Sequence, residues 1–353
     1  MNTVYLLGAG ASYHAIPVLK DLNATIKAFL LDLSEIFKDE ENLLNHITYN
    51  WIQIFDLAAQ HSSVDTFAKK LYLTEEYRML KQLKYILSAY FIYEQCDRNN
   101  PFTEKSDSIP YPNTLLDPRY GFFMAALLKK TKNQPKLPDS VKIISWNYDS
   151  QIELAYHTYS RIGYDNNKSL REHLGIFPVT DREYTEDDDG FFENCRIVKL
   201  NGTATNFVHE KPESYLIGNH TQIHFRDAIK EISSLINYSI DLTNSANKET
   251  LATHLNFAWE LQENWFSTKA VEAAKAIISE ASTLVIIGYS FPVFNRDIDK
   301  LIFENNRLSK IYIQDLPECI EGIKSRVIKT IDVDPEIIEL ETSVDQFLIP
   351  FEV

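Results

Sequence analysis

Short apolar runs rich in valine and isoleucine recur along this chain of 353 residues. We expect strands at residues 4–7, 141–146, 196–200, 283–287, 310–314 and 327–333. Several of these runs are apolar at nearly every position, which is typical of strands buried on both faces of a parallel sheet. In the last third, helical spacing at 269–282 and 297–304, and a short helix after Pro317, alternate with the strands. The pattern predicts an α/β fold with a doubly wound, mostly parallel, Rossmann-like sheet of about six strands.

The long segment between the first two strands has a different period. Its apolar residues recur at intervals of three and four, as in an amphipathic helix, at Leu22, Ile26 and Phe29 and beyond. We therefore predict a helical insertion at residues 20–135 and a second one at residues 215–280. The segments 1–19, 138–205 and 283–353 are predicted to form the core of one discontinuous domain that spans residues 1–353.

The composition excludes several classes of protein. A net charge of −15 argues against a broad, sequence-independent grip on nucleic acid, which needs surplus lysine and arginine. Cys96, Cys195 and Cys319 form no CxxC pair, so neither a metal site nor a disulfide framework is predicted. No apolar run approaches the roughly 20 residues that a membrane helix needs. The chain is expected to be cytoplasmic, without metal or membrane contact.

A glycine turn follows the first predicted strand directly, in Gly8-Ala9-Gly10-Ala11-Ser12. Its glycines allow a tight turn and a close approach of backbone N–H groups to a pyrophosphate. Ser12 replaces the third glycine of the usual dinucleotide fingerprint, so the motif alone has little specificity. The alternative is a strand-to-helix turn that binds nothing.

Polar residues follow the other predicted strands in the same way. Asn147 and Asp149 come after the second strand, in Ser145-Trp146-Asn147-Tyr148-Asp149, although both residue types also cap helices. Ligands of open α/β sheets bind outside the carboxyl ends of the strands, so this segment is expected to face the glycine turn. Later strands end in Lys199-Leu200-Asn201-Gly202, Gly288-Tyr289-Ser290 and Gln314-Asp315, which can offer N–H, hydroxyl and carboxylate groups to phosphate or ribose.

Taken in order, these motifs resemble a sirtuin-like domain, in particular the zinc-less branch of bacterial antiphage defence systems, whose members hydrolyse NAD. The resemblance spans positions 8 to 315 and includes Ala15-Ile16-Pro17 and the full segment 288–292. The helical insertion and the helix start at Val64-Asp65-Thr66-Phe67 fit the same branch. Protein deacylases of this family carry a zinc ribbon, and the missing CxxC pairs argue against that activity.

The resemblance implies roles for the strand-end residues. Asn147 would hold the nicotinamide-side ribose or an attacking water, and Asn147, Asn201 and Asp149 are the candidate catalytic residues. Gly8, Ala9, Gly10 and Ser12 would line the pyrophosphate, with Ser290 by a phosphate and Asp315 by the adenosine ribose. The full set of implied NAD-binding residues is Gly8, Ala9, Gly10, Ser12, Ser145, Gly288, Ser290 and Asp315.

One position departs from the family pattern. Asn201 stands where the family has the histidine of a Leu-His-Gly motif, and an amide does not accept a proton as imidazole does. Expulsion of nicotinamide through an oxocarbenium-like state needs little help from a base, so positioning and electrostatics at Asn147 could suffice. His14 and His209 are the alternative bases.

Two functions follow from this resemblance. The first is an NAD glycohydrolase that depletes cellular NAD during phage infection, conditional on a trigger, a homo-oligomer or a partner protein encoded nearby. The second is a catalytically impaired subunit of a defence complex that binds NAD or ADP-ribose. An ordinary Rossmann oxidoreductase is disfavoured, because no Tyr-x-x-x-Lys pair follows a strand in the expected place.

Overall fold

A computed structural model describes residues 2–17, 19–61, 63–97, 116–160, 167–178, 195–209, 223–244, 251–257, 259–260 and 265–353. The strands in these ranges are β1 (Thr3–Leu7), β2 (Cys96–Asp97), β3 (Val141–Ser145), β4 (Ile176–Phe177), β5 (Ile197–Lys199), β6 (Gly202–His209), β7 (Ile223–His224), β8 (Leu251–Leu255), β9 (Thr283–Ile287), β10 (Lys310–Gln314) and β11 (Ile338–Glu341). The α-helices are α1 (Leu19–Ile36), α2 (Glu41–His46), α3 (Ile52–Ala58), α4 (Val64–Leu73), α5 (Tyr77–Glu94), α6 (Pro118–Leu127), α7 (Gln151–His157), α8 (Asn167–Leu174), α9 (Phe225–Asn244), α10 (Trp265–Ser279), α11 (Arg296–Phe303) and α12 (Pro317–Val327).

The main sheet has seven strands in the order β11-β10-β9-β1-β3-β5-β4, and every neighbouring pair is parallel. The pairing register sets Leu7 of β1 level with Ser145 of β3 and with Ile287 of β9. Lys199 of β5 and Gln314 of β10 lie at the same level through the next pairs. The polar segments that follow these strands therefore begin at one edge of the sheet, as predicted.

Both faces of this sheet are covered, which explains why its strands are apolar at almost every position. Alternate residues of each strand point to opposite faces. Val4, Leu6, Ile144 and Ile286 join one buried cluster with residues of α10, α11 and α12. Tyr5, Leu7, Ile143 and Val285 join the other with residues of α6, α7 and α8. The arrangement is a doubly wound, parallel α/β fold, and the predicted fold class is confirmed.

Two details of the strand prediction were wrong. Residues 327–333 are not a strand, because α12 runs to Val327 and a π-helical turn follows at Ile328–Asp332. Val327 and Ile331 are both buried, and their spacing of four is helical. The edge strand is instead β11, and the two-residue β4 was not predicted, so the sheet has seven strands rather than about six.

The chain divides into two compact units. The sheet unit comprises Met1–Ala15, Leu116–Thr203 and Asn256–Val353, and the helical unit comprises Ile16–Leu115 and Ala204–Leu255. Helices α6 and α10, which lie within the segments 20–135 and 215–280 predicted as insertions, thus belong to the sheet unit. Within the part of the chain that the structure describes, no helix is both long and apolar enough to cross a membrane.

The helical unit is built from α1 to α5 and α9, together with the parallel pair of short strands β2 and β7. Leu22, Ile26 and Phe29 are buried on α1, as their spacing predicts. Helix α4 begins at Val64, the predicted helix start, and the Ser63 hydroxyl caps it by accepting a hydrogen bond from the backbone N–H of Thr66.

Candidate functional site

The glycine turn after β1 packs directly against the end of β9. The N–H of Gly8 donates to the carbonyl of Ile287 and that of Gly10 to the carbonyl of Gly288, both at 3.0 Å. A Cβ built on Gly8 would lie 2.5 Å from the carbonyl oxygen of Gly288, so no side chain fits there. The two glycines are therefore required by this close backbone contact, and their N–H groups already have partners.

A buried ion pair holds the opposite side of the turn. The Arg119 guanidinium donates to the carbonyls of Gly10 and Ala11, each at 3.1 Å, and its Nη2 lies 2.5 Å from Oδ2 of Asp117. Asp117 also accepts a hydrogen bond from the backbone N–H of His14 and caps the start of α6. These charge-assisted bonds hold the turn from Gly10 to His14, and the side chains of Asp117 and Arg119 that make them are almost fully buried.

Asn147 lies at the end of β3 and reaches the glycine turn. Its side-chain Nδ2 donates to the carbonyl of Gly8 at 2.9 Å and to the hydroxyl of Ser12 at 3.2 Å. Its backbone N–H donates to Oγ of Ser145 at 3.1 Å. Both protons of the amide nitrogen are thus used, and Oδ1 accepts no hydrogen bond from any residue that the structure describes. The polar acceptor of this side chain is available at the strand edge.

Ser12 is the centre of a small buried hydrogen-bond network. Its hydroxyl accepts a hydrogen bond from Nδ2 of Asn147 and lies 3.0 Å from the hydroxyl of Tyr120. Burial raises the pKa of Tyr120 well above its ordinary value, and the nearby Asp149 raises it further. Ser12 itself is 1% exposed, and its hydroxyl contacts these neighbouring side chains.

A cluster of three buried charged side chains, Glu153, Arg171 and Lys199, lies beside Asp149. Glu153 of α7 lies 2.5 Å from Nη1 of Arg171 and 3.1 Å from Nζ of Lys199. Lys199 also donates to the backbone carbonyl of Asp149. Burial alone would raise the pKa of Glu153, but Lys199 and Arg171 hold it below its ordinary value. Burial raises the pKa of Asp149, and Lys199 offsets part of that effect.

The side chain of Asn201 is hydrogen-bonded to the residue that precedes Asn147. Its Nδ2 donates to the carbonyl of Trp146 at 2.9 Å, and its own carbonyl accepts from the N–H of Asn256 at 3.0 Å. The Trp146 ring stacks on Tyr289, with centroids 5.5 Å apart and an interplanar angle of 10°. The amide at this position thus holds the β3 and β5 strand ends together and carries no titratable group.

The remaining predicted site residues lie further out. Ala9 and Ser290 are exposed, and the carbonyl of Ser290 accepts a hydrogen bond from Nε of Arg326 at 2.6 Å. Asp315 is half-buried, and its Oδ1 accepts from the N–H of Leu316 at the start of α12. Burial raises the pKa of the Asp315 carboxyl. The hydrogen bonds of Ser290 and Asp315 involve neither the glycine turn nor Asn147.

The structure therefore joins the end of β3 to the glycine turn and adds residues that the sequence did not reveal. Tyr120, Asp117 and Arg119 are new members of the site, supplied by α6 more than a hundred residues after the turn. A local signal existed only for the helix start, since Asp117-Pro118 is a favourable N-terminal pair. Of the alternative bases, His14 is exposed, and the side chain of His209 lies outside the described residues.

Comparisons with known proteins give similarities to solved structures but none in sequence. The sequence matches no protein-family profile and no curated protein. A solved structure, Sir2Tm bound to a propionylated peptide, is similar to this chain with 11% identity, 94% coverage of each chain and a TM-score of 0.31. That similarity is too low to assign a family or an activity. The described residues contain no group of three or more His, Cys, Asp or Glu side chains suited to a metal ion.

Proposed function

We propose that the sheet unit binds NAD at the edge formed by β1, β3, β5 and β9 and hydrolyses it to nicotinamide and ADP-ribose. The observation that supports this proposal best is the hydrogen bonding of the Asn147 side-chain amide. Its amide nitrogen is held by Gly8 and Ser12, and Oδ1 is left to accept a hydrogen bond at the position where ligands of such sheets bind. A fixed acceptor beside the glycine turn fits a ribose hydroxyl or an attacking water.

Hydrolysis of NAD needs little help from a general base. Cleavage of the bond between nicotinamide and ribose passes through an oxocarbenium-like state, and water then adds to a strongly electrophilic carbon. A preorganised dipole near the developing positive charge stabilises that state without reorganising, and the Asn147 carbonyl supplies such a dipole. Loss of a base typically costs about 10²–10⁴ in rate, so Asn201 in place of histidine predicts slow turnover.

The cellular role is proposed from the sequence resemblance together with the presence of a separate helical unit. A slow NAD glycohydrolase fits a conditional effector of antiphage defence, which depletes NAD only when a phage signal, a homo-oligomer or a partner protein engages it. We place this activity in the cytoplasm. The supporting observations are the ordered motifs from Gly8 to Asp315 and the separate helical unit, which provides surface for a partner.

The test is release of nicotinamide and ADP-ribose from NAD by the purified full-length protein, followed by chromatography. We expect slow release from the wild type and at least a hundredfold loss in Asn147→Ala. Asn306→Ala is the matched control, because its amide bonds Phe303 and Ile331 just before β10, at the opposite edge of the sheet. An Asn147→Ala variant that cleaves NAD as fast as the control would refute the assignment.

A second candidate function is NAD or ADP-ribose binding without turnover. The observation that favours it is Asn201, whose amide is committed to the carbonyl of Trp146 and cannot take a proton. Calorimetric titration with NAD and with ADP-ribose separates the two functions. Binding that Asn147→Ala weakens, with no product after prolonged incubation, would establish the binding subunit and exclude the hydrolase for the isolated protein.

A further inference from the structure

We propose that the hairpin at residues 129–136 binds the phosphate backbone of duplex DNA. Its sequence, between α6 and β3, is Lys129-Lys130-Thr131-Lys132-Asn133-Gln134-Pro135-Lys136, and we call it the lysine hairpin. Reciprocal backbone hydrogen bonds between Lys129 and Lys136, at 2.9 and 3.0 Å, join its two ends. The lysine hairpin leads into the amino-terminal end of β3, whereas the glycine turn follows the carboxyl end of β1. The proposal is therefore independent of NAD binding.

The sheet unit holds the lysine hairpin at two points. Tyr156 is buried on α7, and its hydroxyl donates to the carbonyl of Pro135 at 2.7 Å. Arg196 lies just before β5, and its Nη1 donates to the carbonyl of Leu137 at 2.6 Å. These bonds fix the backbone that carries the lysines to the helix and the strand behind it.

The lysine side chains of the hairpin are exposed and keep most of their positive charge. Asp139 neutralises part of it, since its carboxylate pairs with Lys136 at 3.2 Å and also with Arg196. Among the residues that the structure describes, no acidic side chain pairs with the other lysines of the hairpin, Lys129, Lys130 and Lys132. Their ammonium groups are therefore available to an anionic ligand.

Further positive charge lies beside the lysine hairpin. Burial lowers the pKa of His173 on α8, and the charges of Arg196 and Lys136 lower it further. Burial also lowers the pKa of Lys142 on β3, and Arg196 again adds to the effect. This region is thus locally positive on a chain whose net charge is −15. The acidic remainder of the surface limits the contact with DNA to this region.

The composition of the lysine hairpin favours DNA over a protein partner. Protein–protein interfaces have an apolar core and are poor in lysine. Protein–DNA interfaces are polar and positive, and the side chains of lysine, threonine, asparagine and glutamine contact phosphate oxygens. The hairpin consists of these four residue types and Pro135. It contains no aromatic residue on which the bases of a single strand could stack, so a duplex fits better.

The test is binding of the full-length protein to a short, fluorescently labelled DNA duplex, measured by anisotropy at increasing salt concentrations. Each phosphate contact contributes about −0.9 to the slope of log affinity against log salt. With about three contacts, the affinity should fall about 40-fold as the salt concentration rises from about 50 to about 200 mM. This slope is measured on the wild type and depends on no variant.

The double variant Lys130→Ala/Lys132→Ala removes two of the expected contacts. We expect at least about tenfold weaker binding at low salt and a slope smaller by about 1.8. The matched control is Lys300→Ala/Lys329→Ala, which changes the net charge equally at exposed positions on α11 and on the π-helical turn after α12. Its affinity should change less than about twofold, because screening weakens distant charges. Urea unfolding of both double variants at the wild-type midpoint shows that the fold is retained.

Several results would overturn the proposal. The first is an absence of duplex binding by the wild type at low salt, and the second is an equal loss of binding in the two double variants. Tighter binding of poly-glutamate than of the duplex would assign the lysine hairpin to an acidic protein instead. Tighter binding of the single strand than of the duplex would contradict the argument from stacking.

Discussion

A Cβ on Gly288 would lie 2.4 Å from the backbone nitrogen of Ala11, closer than any real side chain can approach. Gly288 also has a φ of +59°, in the left-handed region that only glycine adopts without strain. The ends of β1 and β9 are thus in direct backbone contact across the site. This contact explains the glycine at position 288 whether or not a ligand is present.

Replacing Gly288 is therefore expected to destabilise the sheet unit strongly. Gly288→Ala combines strain at positive φ with a clash against Gly10 and Ala11, and we expect a loss of about 2–4 kcal/mol in the free energy of unfolding. Urea unfolding followed by circular dichroism measures the change.

The matched control is Gly121→Ala in α6, where no heavy atom lies within 4 Å of the added Cβ. Because alanine stabilises a helix interior relative to glycine, this variant is expected to gain roughly 0.5–1 kcal/mol. Equal effects of the two substitutions would contradict the packing explanation for Gly288.

The ion pair of Asp117 and Arg119 is expected to contribute to stability through its burial. Arg119→Met leaves the carboxylate of Asp117 buried and unpaired at 0% exposure, which costs about 3–5 kcal/mol. Lys275→Met tests an exposed pair with Glu304 in the same unit and should cost less than about 1 kcal/mol. Thermal unfolding of the two variants side by side distinguishes these expectations, and similar losses would show that burial does not matter here.

We expect Asp299 to make the folded protein less stable as the pH rises above the acidic range. Its carboxyl is buried beside the Tyr289 hydroxyl, with oxygen distances of 3.0 and 2.9 Å, and burial raises its pKa well above the ordinary value. The folded protein thus keeps this group protonated where the unfolded chain, with a pKa of about 3.9, has ionised it. The stabilisation that protonated Asp299 provides is complete below the pKa of the unfolded chain. It is lost as the pH rises from there towards the pKa of the folded protein.

The measurement compares the wild type with Asp299→Asn, which keeps a neutral group at that position. From about pH 4.5 upwards, the wild type should lose stability relative to the variant by about 1.4 kcal/mol per pH unit. Parallel pH profiles of the two proteins would mean that Asp299 is ionised in the folded state.

His46 in the helical unit is expected to titrate far below a normal histidine. Its Nε2 lies 2.8 Å from the Ser239 hydroxyl, which also accepts a hydrogen bond from Nε1 of Trp51, and burial lowers the pKa of the imidazole to about 4. Since the unfolded chain takes up this proton near pH 6.5, the stability that neutral His46 provides is lost as pH falls from about 6.5 to about 4. Imidazole proton shifts in the folded protein give the value directly, and a midpoint near 6.5 would contradict the burial.

The sequence was sufficient for those parts of the site that lie on strands. Apolar runs mark the buried strands, and a parallel register places the residues that follow them at one edge, so the meeting of Asn147 with the glycine turn could be predicted. The predicted bounds of β9 and β10 agree with the structure at both ends. The error at 327–333 arose because β-branched residues also form helices when packing favours it.

The supporting residues could not be predicted in the same way. Tyr120 and Arg119 contact the turn because α6 packs there, and no spacing in the sequence encodes a contact between residues 108 or 109 positions apart. The buried ion pairs of Glu153 with Arg171 and Lys199 could not be predicted from the sequence for the same reason. Such contacts depend on the packing of helices against the sheet.

The central position of β1 also constrains how the chain acquires its structure during synthesis. Its two neighbours in the sheet begin at Val141 and Thr283, so β1 is followed by well over a hundred residues before its first partner strand. Contacts between such distant segments make folding slow, because a large loop must close before each pairing forms. We therefore expect β1 to remain unpaired during synthesis at least until β3 has been translated, and to gain its second neighbour only with β9 in the last third of the chain.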